Sequence, residues 1–142
     1  MTIASVLRGK GSSVETISAN ATMLDVVRIL GEKRIGALPV VEDKHIVGII
    51  SERDVIYRLR DEGPEVLGWP VSRVMNSPAI TVDSDTDVLS ALGLMTERRI
   101  RHLPVVEGGQ LRGIISIGDL VKYRLDRIEA EADAMRAYIQ SA

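Results

Sequence analysis

The chain contains no cysteine and no phenylalanine, a single tryptophan (Trp69) and three tyrosines. Without cysteine there can be no disulfide, no thiolate metal ligand and no cysteine nucleophile, a usage that fits a cytoplasmic protein. So few aromatic side chains leave little of the stacking platform that holds single-stranded nucleic acid. A basic face is missing too: 18 lysines and arginines stand against 20 aspartates and glutamates, for a net charge of −2. Phosphate-backbone binding requires the opposite balance. No apolar run approaches the roughly 18 residues of a membrane span, and the N-terminal stretch lacks a signal-peptide pattern. The expectation is no nucleic-acid partner and no membrane. Histidine is scarce, with only His45 and His102. No metal-ligand cluster, no Ser-His-Asp set and no complete glycine-rich phosphate loop can be assembled, so the chain reads as a non-enzyme.

What remains is aliphatic. At 142 residues and 45% hydrophobic composition, the chain is one domain, or two small units sharing an interface. The second description fits, because the sequence repeats itself. R-I-G-A-L-P-V-V-E at 34–42 returns as R-I-R-H-L-P-V-V-E at 99–107, and G-I-I-S-E-R-D at 48–54 returns as G-I-I-S-I-G-D at 113–119. Both lie at an offset of 65 residues, and 15 of the 43 positions between 14–56 and 79–121 are identical without a gap. Chance gives about one match in fifteen to twenty. A duplicated unit of this size packs on its copy about a pseudo-two-fold axis, and the seam is a natural ligand cleft.

Each copy carries the same order of elements. In the first, residues 14–18 form a short strand candidate, and a helix follows over 22–33 with Met23, Val26, Val27 and Leu30 inward. Two apolar runs, 38–41 and 46–50, flank the turn Glu42-Asp43-Lys44 and read as a hairpin; Ser51 then opens a second helix to about Asp61. The second copy repeats this with a strand at 80–82, a helix over 86–98 with Val88, Leu89, Leu92 and Met95 inward, a hairpin across Gly108-Gly109, and a last helix from Ser116. A Gly- and Pro-marked linker, Gly63 to Pro70, lies between, with Trp69 as a packing plug and His45 a solvated turn residue. The fold class is α+β, two β-α-β-β-α units about a pseudo-two-fold axis plus a C-terminal amphipathic helix. The boundaries expected are 1–64, 65–123 and 124–142. Each unit alone is marginal; paired, their sheets can cover each other. Along the tail, Val121, Leu125, Ile128, Ala132, Met135 and Ile139 recur with a 3.5-residue period. That is a short heptad seam, open to two readings: a dimerising helix, or a terminal helix lying on its own domain.

The chemistry concentrates at the two strand-to-helix junctions. Ser51 with Asp54, and Ser116 with Asp119, satisfy the Ser-x-x-Asp spacing of a capping box, which needs no ligand. The same geometry suits an anion, because a helix N-terminus offers backbone N–H groups. The serine can bond a phosphate or ribose oxygen, and a carboxylate can accept from two vicinal ribose hydroxyls. Two such motifs, in register within a repeated frame, are far more specific than one.

These pieces, A-L-P-V-V-E with G-I-I-S-E-R-D and H-L-P-V-V-E with G-I-I-S-I-G-D, resemble a tandem pair of CBS domains (cystathionine β-synthase domains, the pair often called a Bateman module). The resemblance covers about residues 5–123. It implies that Asp54 and Asp119 hold ribose hydroxyls of an adenosyl ligand and that Ser51 and Ser116 hold ribose or phosphate oxygens. It also implies composite sites: Ser13 and Val14 facing Asp119, Pro78 and Ala79 facing Asp54. Ile49, Ile114, Leu103 and Pro104 complete the expected ligand-binding set, the adenine lying between aliphatic side chains. The copies differ in their cations. The first offers Arg53 within its motif; the second offers Arg101-His102 where the first has Gly36-Ala37. Each half is therefore expected to have its own phosphate group, with His102 able to tune anion binding near neutral pH. The ligands sharing the adenosyl part are AMP, ADP, ATP, NAD(H) and S-adenosylmethionine, and no catalytic cofactor is expected. The reading is a stand-alone sensor module, a homodimer, acting on itself or on a regulated protein in trans. The alternative is a dimeric scaffold without a ligand.

Overall fold

A computed structural model describes residues 1–11 and 13–141. Among them are five α-helices and four strands: α1 (Ile3–Lys10), α2 (Met23–Lys33), β1 (Ala37–Glu42), β2 (His45–Ser51), α3 (Glu52–Glu62), α4 (Val88–Arg98), β3 (His102–Glu107), β4 (Gln110–Ser116) and α5 (Ile117–Ser141). Two short 3-10 turns, Pro64–Gly68 and Val71–Arg73, occupy the linker. Among the described residues no helix is long and apolar enough to cross a membrane.

Local chemistry explains the boundaries. Thr22 caps α2 and closes a capping box with Asp25. Asp87 caps α4 through Leu89 N–H. Both helices end on an arginine in the left-handed conformation, Arg34 and Arg99, each at φ 54°; these two arginines are identical in the repeat. The hairpins turn through two residues of positive φ. Gly108-Gly109 adopt this at no steric cost, whereas Asp43-Lys44 do so with side chains.

Several expectations are corrected. The strand candidates at 14–18 and 80–82 reduce to single parallel bridges, Ile17 to Val40 and Val82 to Val105. On α2 and α4 the inward stripe is Met23, Val26, Leu30 and Val88, Ala91, Met95, while Val27 and Leu89 are exposed. A 3-4 spacing keeps the stripe on one face, and residues next to it rotate off by about 100°. The sheets do not cover each other. The hairpins join edge to edge as one antiparallel sheet, β1-β2-β4-β3. Its middle rung pairs His45 with Gln110, counterparts at the 65-residue offset, so that rung sits on the pseudo-two-fold axis. His45 is exposed as expected, yet its Nδ1 lies 3.2 Å from Gly109 O across the junction. Trp69 is half-buried against the first core, with the Arg73 guanidinium 3.6 Å from its ring centroid, a cation–π contact.

Packing also crosses the expected boundary at residue 64. There are two aliphatic cores. One is built on Leu38, Val40 and Ile50 but takes Val66, Val71 and Val74 from beyond the boundary. The other is built on Leu103, Val105 and Ile115 but takes Ile3, Val6 and Leu7 from α1. The segment before each repeat unit thus packs with the opposite copy. The boundary at 123 fares similarly, since α5 runs unbroken from the repeat into the tail.

Candidate functional site

Where the copies meet, a cleft of about 350 Å³ opens beside Asp54. It is composite. The first copy supplies Gly36, Ala37, Ile49 and the start of α3 from Ser51 to Asp54; the segment entering the second copy supplies Asn76 and Pro78 to Ile80; the second copy supplies Arg99 to His102.

The carboxylate of Asp54 is fixed by its neighbours. Its Oδ2 accepts from Ser51 N–H at 2.8 Å, Ser51 Oγ at 2.9 Å and Asn76 Nδ2 at 3.0 Å. Among the described residues these bonds all fall on one oxygen, which leaves Oδ1 available. The capping box is therefore real, and it orients the carboxylate rather than exhausting it. At the helix N-terminus, Glu52 N–H is taken by Gly36 O and Asp54 N–H by Ser51 Oγ, so of the first three N–H groups the Arg53 N–H remains for a ligand. Asn76 is held there by two backbone bonds with Ile49.

Three arginines and a histidine converge: Arg53, Arg99, Arg101 and His102 all line the cleft. Arg53 reaches across to Arg99 O at 3.3 Å, and Arg101 lies 3.7 Å from Glu52, an exposed pair of little energetic weight. Arg101 and His102, assigned from sequence to a separate site in the second copy, line the same cleft as Arg53. The reason is geometric: the chain leaving α4 lies across the sheet junction, next to Gly36 of the other copy. A Cβ at Gly36 would come within 2.9 Å of His102 Cε1, so this glycine makes room for the imidazole.

Burial pushes the His102 pKa below the ordinary imidazole value, and the positive charge of Arg101 pushes it the same way; Glu52 and Asp119 oppose, with Lys10 adding to the lowering. The folded state therefore binds fewer protons than the unfolded chain, so this group makes stability rise with pH through the window from its lowered pKa to about 6.5. Proton NMR should place the His102 midpoint below 6.5, and His102→Gln should flatten stability against pH in that window. A His102 midpoint above 6.5 would contradict the burial described.

The counterpart carboxylate is arranged differently. Asp119 Oδ2 accepts from Ser116 N–H at 2.8 Å, but also from Lys10 Nζ at 2.6 Å. Lys10 donates as well to Ile114 O at 2.7 Å. Burial alone would raise the Asp119 pKa; the Lys10 ammonium and the Ser116 N–H outweigh it, and the pKa lies below the ordinary carboxylate value. Ser13 is exposed and Val14 half-buried on the chain leaving α1, whose Lys10 fills the approach to Asp119. Leu103 is fully buried in the second core and Pro104 is buried in β3 opposite Ile114; neither is among the residues lining the Asp54 cleft. Sequence reasoning missed Lys10, Glu52, Asn76 and Arg99. Arg99 had a signal, its identity with Arg34; Asn76 and Lys10 had none, since their counterparts are Gly11 and Met75.

Comparison with known proteins agrees with this architecture. The family model for the CBS domain matches twice, over residues 11–61 and 71–126. The chain is 34% identical over 148 residues to the CBS domain-containing protein CBSX3, mitochondrial, of Arabidopsis thaliana, covering 98% of this chain and 72% of that protein. Among solved structures, a putative signal-transduction protein with CBS domains from Burkholderia ambifaria superposes with a TM-score of 0.83 at 36% identity, covering 89% of this chain and 95% of that one. CBSX2, solved in complex with AMP, superposes with a TM-score of 0.74 at 26% identity, covering 88% and 96%. Two family matches, a shared fold and a composite seam lead to one conclusion: the chain belongs to the CBS domain family, as a tandem pair.

Proposed function

We propose that the chain is a non-catalytic sensor module that binds one phosphate-bearing adenosyl ligand in the cleft at Asp54. One observation carries the reading: a 350 Å³ seam cavity brings an oriented carboxylate, a helix N-terminus, three arginines and a histidine onto an aliphatic wall. The volume lies in the range of about 300–1,000 Å³ usual for small-molecule sites. In this reading Asp54 Oδ1 meets the ribose hydroxyls, and Ile49, Pro78, Ala79 and Ile80 sandwich the adenine. Arg53, Arg101 and His102 face the phosphates. The AMP complex of CBSX2 supports the ligand class. The Asp119 position is self-occupied by Lys10 and takes no ligand in this state. Output passes through a homodimer or a regulated protein in trans.

Thermal unfolding with AMP, ADP, ATP, NAD and S-adenosylmethionine tests the proposal. A ligand at 100 times its Kd stabilises the folded state by about 2.7 kcal/mol, a Tm rise of roughly 5–11 °C for a chain of this size. At least one nucleotide should give it, and incubated nucleotide should be recovered unchanged. No shift with any of the five would favour the ligand-free scaffold.

A further inference from the structure

The tail of α5 has left its own domain. In this 25-residue helix only Leu120 is buried, and beyond it Leu125, Ile128, Met135 and Ile139 are each 45% to 64% exposed. The reading in which the helix lies on its own domain is thereby removed, and an apolar seam with a 3.5-residue period stands open along one face.

The charges beside the seam specify what fits there. One flank carries Arg124 and Glu131, each just before a seam residue; the other carries Lys122, Glu129 and Arg136, each just after one. In a parallel, in-register pair, a flank residue faces the residue five positions later on the opposite flank of the other helix. Arg124 then meets Glu129 of the partner subunit, and Glu131 meets Arg136 of the partner subunit, with every cross-pair opposite in sign. An antiparallel pair with full seam overlap sets Leu125 against Met135 and Ile128 against Ala132. It brings Glu129 against its own copy, Glu131 against its own copy, and Lys122 against Arg136, every pair alike in sign. Arg136 is bonded to Asp133 at 2.8 Å in a largely exposed pair, and Arg124 reaches Met1 Sδ at 3.7 Å; both contacts are too weak to hold the side chains from a new partner.

We infer that the exposed face of α5 docks a second copy of this chain as a parallel, in-register two-stranded coiled coil, its orientation set by Arg124–Glu129 and Glu131–Arg136 cross-pairs. This rests on the homodimer reading and deepens it by naming the surface, direction and register. The resulting interface is isologous, each helix meeting its own equivalent, as a two-fold dimer requires.

The absence of cysteine gives a clean test. In the parallel pair, Ile139→Cys faces itself at disulfide distance, a Cα separation of about 4.4–6.8 Å. In the antiparallel pair residue 139 faces 121, which puts the two cysteines about 27 Å apart at 1.5 Å per residue. Ala137→Cys, on the outer face, is the control. Under mild oxidation the Ile139→Cys chain should become a covalent dimer well before the control does, with light scattering on the unmodified chain giving two copies. Equal rates, or no cross-linking of either, overturn the parallel seam. If scattering still shows a dimer, only the seam is lost; a monomer at micromolar concentration sinks the homodimer reading as well. Charge variants add a second arm. Glu129→Arg with Glu131→Arg should weaken self-association about 7- to 30-fold, from four cross-pairs at roughly 0.3–0.5 kcal/mol each. Mixing with a chain carrying Arg124→Glu and Arg136→Glu should restore pairing. Unchanged affinity in the first variant also refutes the assignment.

Discussion

Asp54→Ala should weaken nucleotide binding about 10- to 150-fold while Asp119→Ala leaves it within a factor of two or three. The loss corresponds to one charge-assisted hydrogen-bond partner removed from a site, roughly 1.5–3 kcal/mol. The comparison is internally controlled. Both aspartates close a capping box with the preceding serine, so both variants forfeit a similar helix cap, about 1 kcal/mol. Only one carboxylate faces the open cleft; the other is paired with Lys10. Calorimetry with AMP at constant salt would read both affinity and stoichiometry. If the Asp119 variant loses binding to the same degree, the assignment of ligand to the Asp54 side is wrong. Lys10→Met completes the set: it removes the ammonium from Asp119, and the expected stoichiometry rises from one ligand per chain toward two.

Gly48→Ala should lower Tm by about 3–10 °C, whereas the same change at its repeat counterpart, Gly113→Ala, should cost about 1 kcal/mol or less. The two glycines open the same Gly-Ile-Ile-Ser run, yet their surroundings differ. A Cβ at Gly48 would lie 2.8 Å from Asn76 O, a backbone atom that accepts from Ile49 N–H while Asn76 N–H donates back to Ile49 O, so it cannot move alone. A Cβ at Gly113 would lie 2.9 Å from Leu7 Cδ2, the end of a flexible side chain that can turn aside. Overpacking against fixed backbone costs about 1–3 kcal/mol. Because Asn76 also donates to Asp54, Gly48→Ala should weaken ligand binding as well. Thermal unfolding of the two variants side by side decides the matter, and equal losses would mean the Asn76 segment is not held as described.

The repeat made the hairpins and the capping boxes legible, because both are local: apolar runs around a two-residue turn, and a serine three residues before an aspartate. Pro78 and Ala79 near Asp54 were reachable only through the family resemblance. The remainder was hidden because it depends on which copy a segment packs against, and a sequence repeat is silent on that. Lys10 itself went unread, although the resemblance set Ser13 and Val14, just beyond it, against Asp119, 109 residues from Lys10. Arg101 and His102 show the same effect: their register number says second copy, and they do border Ser116 and Ile117, while the seam also puts them beside Arg53. Helix faces failed more modestly, at Val27 and Leu89, where an apolar residue borders the stripe without joining it.

The crossing of α1 into the far core bears on how the chain comes to fold. Ile3, Val6 and Leu7 find their partners among Val88, Leu103 and Ile115, and the Lys10 contact closes a loop spanning 109 residues. Such closures are entropically costly before they return any burial, and a high proportion of distant contacts slows folding. The core around Leu38 and Ile50 needs nothing beyond Met75 and can condense while the chain is still being synthesised. The core around Leu103 has to wait for Leu120. Until then α1 is an eight-residue helix, too short to persist in water, so its docking is the natural last step of folding and its release the natural first step of opening.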